Sequence, residues 1–154
     1  ALGDRSLHWT QKTVTPENKA WLRELTKEIR FEFGGRRVLA VHGSPRRLNE
    51  YLYQDRPEAN MARLLAEADA DVVLCGHTHL PYQRRIGEIE LINVGTAGRP
   101  KNGDPRVNYA LLEFGETVAA TFPKVAYDVE AAAGAIEASD LPHEFAAMLR
   151  RGGS

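Results

Sequence analysis

The chain has 154 residues, 43% of them hydrophobic and 27% charged, which suits one soluble domain with a sizeable core and is short for two. A formal net charge of −1 gives no global attraction to nucleic acid or to an anionic membrane, and leaves room only for a local basic patch. The single cysteine, Cys75, excludes an internal disulfide framework and fits a reducing, cytoplasmic compartment.

The chain opens on Ala1-Leu2-Gly3-Asp4-Arg5, with neither the basic nor the apolar region of a signal peptide. The missing initiator Met is expected of a chain that starts inside a longer one, and no apolar run approaches the roughly 20 residues of a membrane helix. Asp4 is placed to cap a short helix through Leu7 and Trp9. Thr15-Pro16-Glu17 is a stronger start signal, with a capping hydroxyl, a proline at the first helical position and an acid in the first turn. Trp21, Leu22 and Leu25 are then that helix's apolar face. Ile29-Arg30-Phe31-Glu32-Phe33 alternates with period two, as a half-buried strand does. After a turn at Gly34-Gly35, Val38-Leu39-Ala40-Val41 reads as a fully buried strand that ends at His42-Gly43-Ser44-Pro45. A polar and aromatic loop runs to Asp55. Pro57 opens a helix with Met61, Leu64, Leu65 and Ala68 inward.

Val72-Val73-Leu74-Cys75 is a second buried strand and ends at Gly76-His77-Thr78-His79. Strands over residues 82–86 and 89–94 meet at a turn on Gly87, and residues 95–106 form a Gly/Pro-rich loop. Residues 108–114 and 117–127 make a hairpin about Gly115. Asp128 caps a helix through Ile136, and Asp140-Leu141-Pro142 starts a last helix that stops before Gly152-Gly153. The order is mixed α/β.

Both buried strands end in a histidine flanked by glycine. In open α/β sheets ligands bind beyond the carboxyl ends of strands, where loops converge over a rigid base. Two histidines one residue apart share a side only if the backbone bends, and Gly76 is the residue expected to supply the bend through a positive φ. Neutral imidazole is a common ligand for divalent metals, so His42, His77 and His79 together would make half of a metal site. The plainer reading is that a strand-end histidine caps a backbone carbonyl, and on spacing alone both readings stay open. His8 and His143 lie on polar helical patterns and read as surface histidines. Cys75, on an apolar strand, reads as a buried, inert thiol.

Val41-His42-Gly43-Ser44, Gly76-His77-Thr78-His79 and Asn93-Val94-Gly95-Thr96-Ala97-Gly98-Arg99-Pro100 together resemble the last three motifs of the calcineurin-like metallophosphoesterases, most closely the small prokaryotic phosphodiesterase-like subfamily. The resemblance covers about residues 25–127, with each motif after a strand. It implies an α/β/β/α sandwich of the metallo-dependent phosphatase type with its N-terminal part missing, so that residues 1–154 are the C-terminal portion of a single domain. It also implies two divalent ions, Mn2+ first and Fe, Zn or Ni otherwise, with His42 and His77 on one ion and His79 on the other. The early motifs of that family, Asp-x-His, Gly-Asp and Gly-Asn-His-Asp, have no counterpart here. Gly3-Asp4 has no strand before it and lies too close to the later motifs. With them go the bridging aspartate, the asparagine ligand and the histidine that assists the leaving group. Neutral imidazoles do not offset four positive charges, and hard divalent ions want oxygen ligands. The N-terminal half of the fold is therefore required for activity.

Loops that follow ligand strands face the site, which makes Arg46, Arg47, Arg99 and Lys101 candidates for holding a phosphate; each also reads as solvated loop charge. Asn93 is a candidate partner for a ligand histidine, or packs a strand end. Tyr51 and Tyr53 are candidates for stacking on a nucleobase or aryl ester, or anchor their own loop. The expected activity is hydrolysis of phosphate mono- or diesters by a two-metal-activated hydroxide, with a small phosphate ester as substrate, nucleic acid as a second option and a homo-oligomer compatible. The alternative is a non-catalytic interaction scaffold of the same fold, as in a retromer subunit. Three imidazoles at strand ends argue against it.

Overall fold

Three strands run parallel through the middle of the fold. β2 (Arg36–Val41), β3 (Val72–Cys75) and β5 (Ile89–Asn93) set Leu39 beside Val73 and Val73 beside Leu91. The structure is a computed structural model that describes residues 1–153. Two antiparallel edge strands complete the sheet, β1 (Glu28–Phe33) against β2 and β4 (Tyr82–Ile86) against β5, in the order β1-β2-β3-β5-β4.

Side chains alternate between the two faces of a strand, and the central strands bury both. Leu39, Val73 and Leu91 point to one face, where Met61, Leu64 and Leu65 of α3 (Glu58–Leu65) cover them together with Leu52 and Tyr82. Val38, Val72 and Ile92 point to the other, where Val118, Leu112, Phe114 and Ala120 pack on them. Those four belong to the hairpin of β7 (Leu111–Phe114) and β8 (Val118–Thr121). Each fully buried aliphatic side chain here contributes roughly 1.5–3 kcal/mol of transfer free energy. The layers are thus helix, sheet, sheet, as the sandwich requires. The second sheet layer consists of two short pairs, β7 with β8 and β6 (Val107–Asn108) with β9 (Lys124–Val125). On the outside, α4 (Val129–Glu137) and α5 (Glu144–Arg151) pack against each other, with Ala133 and Ala146 fully buried.

Local signals held where a hydrogen bond backs them. Thr15 Oγ1 accepts from Asn18 N at 3.2 Å and starts α2 (Pro16–Glu24); Asp128 Oδ1 accepts from Ala131 N at 2.8 Å and starts α4. Other expectations are corrected. Helix α1 (Leu2–Thr13) begins before Asp4, whose carboxylate accepts from the terminal amine at 2.9 Å. The last helix begins at Glu144, after Pro142 rather than at Asp140. The expected strand over residues 108–114 is broken, because the Asn108 side chain turns back to bond the loop at Val94 and Thr96. The apolar face of α2 is exposed, with Trp21 at 60%, and β1 is exposed along its whole length. β1 is a sheet edge that no described element covers; Phe33 alone finds a ring partner, Phe114, edge-on at 5.1 Å. His8 and His143 are exposed as expected. Among the described residues no helix is long and apolar enough to cross a membrane.

Candidate metal centre

Because β2 and β3 are parallel neighbours, their carboxyl ends lie side by side and the histidine loops emerge together. Gly76 N donates to His42 O at 2.9 Å and ties the two loops at the backbone. Above that bond, His42 Nε2 and His77 Nδ1 stand 3.0 Å apart, with ring centroids separated by 4.9 Å. The bend that brings this about is not at Gly76. His77 and His79 themselves take the left-handed conformation, with φ of 63° and 64°, a region few non-glycine residues enter and one associated with functional sites. Thr78 between them turns inward and is 1% exposed; its N donates to Gly76 O at 2.7 Å and its Oγ1 accepts from Leu80 N at 3.1 Å.

His79 is oriented differently. Its Nδ1 donates to the Arg99 carbonyl at 2.6 Å. A carbonyl only accepts, so the proton sits on Nδ1 and Nε2 keeps its lone pair. Burial lowers the pKa of His77 and His79 from the usual imidazole value. For His77 the neighbouring His42, His79 and Lys101 lower it further. For His79, Lys101 and Arg99 act in the same sense, against the opposing bond to the Arg99 backbone. Both rings are thereby held toward the neutral, ligand-competent form. The three histidines line one open hollow of about 380 Å3, together with Cys75, Val94 and Thr96.

The supports are largely backbone clamps that periodicity does not announce. Asn93 is fully buried, but it bonds no histidine: its Nδ2 donates to Gly76 O at 2.8 Å and its Oδ1 accepts from Gly95 N at 3.0 Å. Register puts Asn93 beside Cys75, so its side chain reaches the loop backbones and stops there. Asn108 acts likewise on the next turn, donating to Val94 O at 2.7 Å. Gly95, at φ 79°, is so close to Asn108 that any Cβ would overlap its amide. Under His42, a Cβ on Gly43 would meet the Leu48 carbonyl at 2.5 Å. The buried Ser44 hydroxyl there donates to Glu50 and accepts from the amides of Arg46 and Arg47. The Tyr51 ring lies against His77, with centroids 4.1 Å apart. The Asn93-Val94-Gly95 motif signalled the first of these glycines; nothing in the sequence pointed to Asn108 or Glu50.

The candidate cations separate. Arg46 is paired with Glu50 at 2.7 Å, and it borders a different hollow, with Arg47 and Lys27. The Arg99 guanidinium points to α5, where it lies 5.3 Å from the Phe145 ring centroid and donates to Met148 Sδ at 3.2 Å. Lys101 is the one of the four whose charge bears on both His77 and His79, and burial lowers its own pKa.

The sequence profile of the calcineurin-like phosphoesterase superfamily domain matches residues 11–117. The chain belongs to that superfamily. A "probable metallophosphoesterase" of Methanothermobacter thermautotrophicus is 32% identical over 77 residues, covering 50% of this chain and 41% of its own. An uncharacterized protein of Methanocaldococcus jannaschii is 25% identical over 157 residues, covering 91% of this chain. Among solved structures, a hypothetical protein from Pyrococcus horikoshii superposes with a TM-score of 0.82 at 22% identity, over 94% of this chain. A metallophosphoesterase from Sphaerobacter thermophilus gives 0.77 at 24% identity, also over 94% of this chain. The chain spans 62% of the M. jannaschii protein and 58% of the P. horikoshii one.

The imidazoles meet the demands of a calcineurin-like metal centre only in part. The His42–His77 nitrogen separation of 3.0 Å is that of a direct N–H···N hydrogen bond, whereas nitrogens that share one tetrahedral ion stand about 3.4 Å apart, so the two rings are within a small shift of a common ion. The His79 tautomer, fixed by a carbonyl, is the usual arrangement of a metal-ligating histidine. The oxygen donors are wanting: among the described residues no three His, Cys, Asp or Glu side chains converge to hold an ion.

Proposed function

We propose that the complete protein is a divalent-metal-dependent phosphoesterase acting on phosphate mono- or diesters, and that residues 1–154 are the C-terminal portion of its single catalytic domain. The observation that carries this reading is the pair of imidazole nitrogens 3.0 Å apart at adjacent strand ends, beside a third imidazole whose tautomer a carbonyl fixes. His42 and His77 hold one ion and His79 holds the other. The carboxylate ligands come from the remainder of the fold. Two features support this division: the chain spans 58% of the P. horikoshii structure, and the apolar side chains of α2 and β1 form an exposed patch of the kind that marks an interface. When bound, a pair of divalent ions neutralises phosphoryl oxygens and lowers the pKa of water to make a nucleophile.

The chain's own residues supply position. Burial favours the neutral form of His77 and His79, the Arg99 carbonyl aims His79, Asn93 and Asn108 hold the second and third motif loops together, and the Gly76 amide ties the first to the second. Lys101 is placed to meet the negative charge of the ester. Arg46 and Arg99, engaged with Glu50 and Phe145, are not. The full metal set is Mn2+ in this reading, and the near-neutral charge favours a small ester over a nucleic acid.

Hydrolysis of a chromogenic phosphodiester by the full-length protein, with and without Mn2+, tests the proposal. Metal-dependent turnover that disappears in His77→Ala is the expected result. No metal-dependent turnover, with His77→Ala indistinguishable, would overturn it in favour of a scaffold. The 154-residue chain by itself is expected to be inactive at any Mn2+ concentration.

A further inference from the structure

Next to the histidine loops runs a short segment whose side chains alternate. Leu52 is fully buried and its carbonyl accepts from Tyr82 Oη at 2.5 Å, so the segment is anchored through Leu52. Period-two alternation then sends Tyr51 and Tyr53 out on the same side. Both rings remain open to solvent, at 37% and 42% exposure. They are ordered against each other: the Tyr51 and Tyr53 rings are stacked with 2° between their planes and centroids 5.2 Å apart. Tyr51 in turn lies against His77 at 4.1 Å. A ladder of aromatic faces therefore leads from the surface, through Tyr53 and Tyr51, to an imidazole of the candidate metal centre.

Exposed, parallel tyrosines beside a candidate metal centre suit one kind of ligand. A planar aromatic group gains dispersion and quadrupole interactions on such faces irrespective of its substituents. We propose that Tyr51 and Tyr53 form a stacking subsite for a planar aromatic group carried by the phosphate ester, either a nucleobase or a simple aryl group. The proposal rests on the phosphoesterase reading for one point only, the placing of the phosphate at His42, His77 and His79. It narrows the substrate class from phosphate esters in general to those with an aromatic moiety.

The test measures binding separately from turnover, with phosphonates whose C–P bond is not hydrolysed. Phenylphosphonate, an adenosine phosphonate and methylphosphonate are titrated into the Mn2+-loaded full-length protein, alongside its Tyr53→Ala and Tyr53→Phe variants. Tyr53 is exposed and lies outside the metal-ligand set, so its replacement leaves the core intact. The expected result is tighter binding of the aromatic phosphonates than of methylphosphonate. Tyr53→Ala should weaken the aromatic ligands by about 5- to 150-fold, the range of one base–aromatic stack, and leave methylphosphonate unchanged; Tyr53→Phe should behave as wild type. A preference for the adenosine ligand alone identifies a nucleobase site, and a shared preference a general arene site. Equal binding of all three, binding of none, or an aromatic preference that survives Tyr53→Ala overturns the subsite, even if the protein turns over a phosphodiester. Failure of the phosphoesterase reading shows separately, as absent turnover.

Discussion

His79 reaches Arg99 through the backbone: its Nδ1 donates to the Arg99 carbonyl at 2.6 Å, while the Arg99 guanidinium faces the other way, over Phe145. The side chain and the carbonyl of one residue thus serve two parts of the fold. Arg99→Met should keep the packing on Phe145 and Met148 and remove Nε, which is buried without a hydrogen-bond partner among the described residues. Its stability should stay within about 1 kcal/mol of wild type. Arg99→Ala leaves a gap against α5 and should lose about 1–2 kcal/mol. Urea unfolding measures both. In the full-length protein Arg99→Met should leave KM for a phosphodiester unchanged; a large rise would mean that the guanidinium contacts the ester.

Two glycines of one motif should respond unequally to the same change. Gly95→Ala forces a Cβ into the Asn108 amide at φ 79° and should cost about 1–3 kcal/mol. Gly98→Ala, with nothing within 4 Å and no positive φ, should fall within about 0.5 kcal/mol of wild type. Thermal unfolding of the two variants side by side reads the difference, and similar losses in both would contradict the role given to the Asn108 clamp.

The chain should lose stability as pH falls from about 7 to about 5. His77 and His79 bind protons less readily when folded, chiefly through burial, than in the unfolded chain, where imidazole titrates near 6.5. Below that value the unfolded state takes up more protons, so stability present above it is lost as pH drops through the folded pKa values. Carboxylates such as Glu50 and Asp71, whose pKa values are lowered by Arg46 and Arg37, contribute only at more acid pH. The urea midpoint at several pH values measures the effect, and it should shrink in a His77→Gln, His79→Gln double variant.

Cys75 borders the histidine hollow but is no nucleophile. Burial pushes its thiol up to about 12, with the Asn93 side chain opposing, so almost no thiolate exists near neutral pH. Alkylation by iodoacetamide should be slow in the folded chain and should accelerate with urea in step with unfolding. Labelling of the native protein at the rate of an ordinary exposed cysteine would refute this.

The buried strands were legible because Val38 to Val41 and Val72 to Cys75 are continuous apolar runs, and α3 because Met61, Leu64 and Leu65 recur at helical spacing. The three histidines were legible for the same reason: each sits at the end of a segment whose period was clear. What the sequence could not convey was direction. Asn93 and Arg99 were read as candidates for the site, yet one spends its amide on loop backbone and the other contributes a carbonyl, an atom every residue owns. The exposure of Trp21 and Phe31 was also hidden, since an amphipathic pattern shows that a face wants cover without showing what covers it.

The left-handed backbone at His77 and His79 sets stability against chemistry. For an L-residue with a full side chain that conformation costs roughly 1–2 kcal/mol, and glycine or asparagine would relieve it at either position. Histidine therefore occupies both positions at a conformational cost that glycine would not carry.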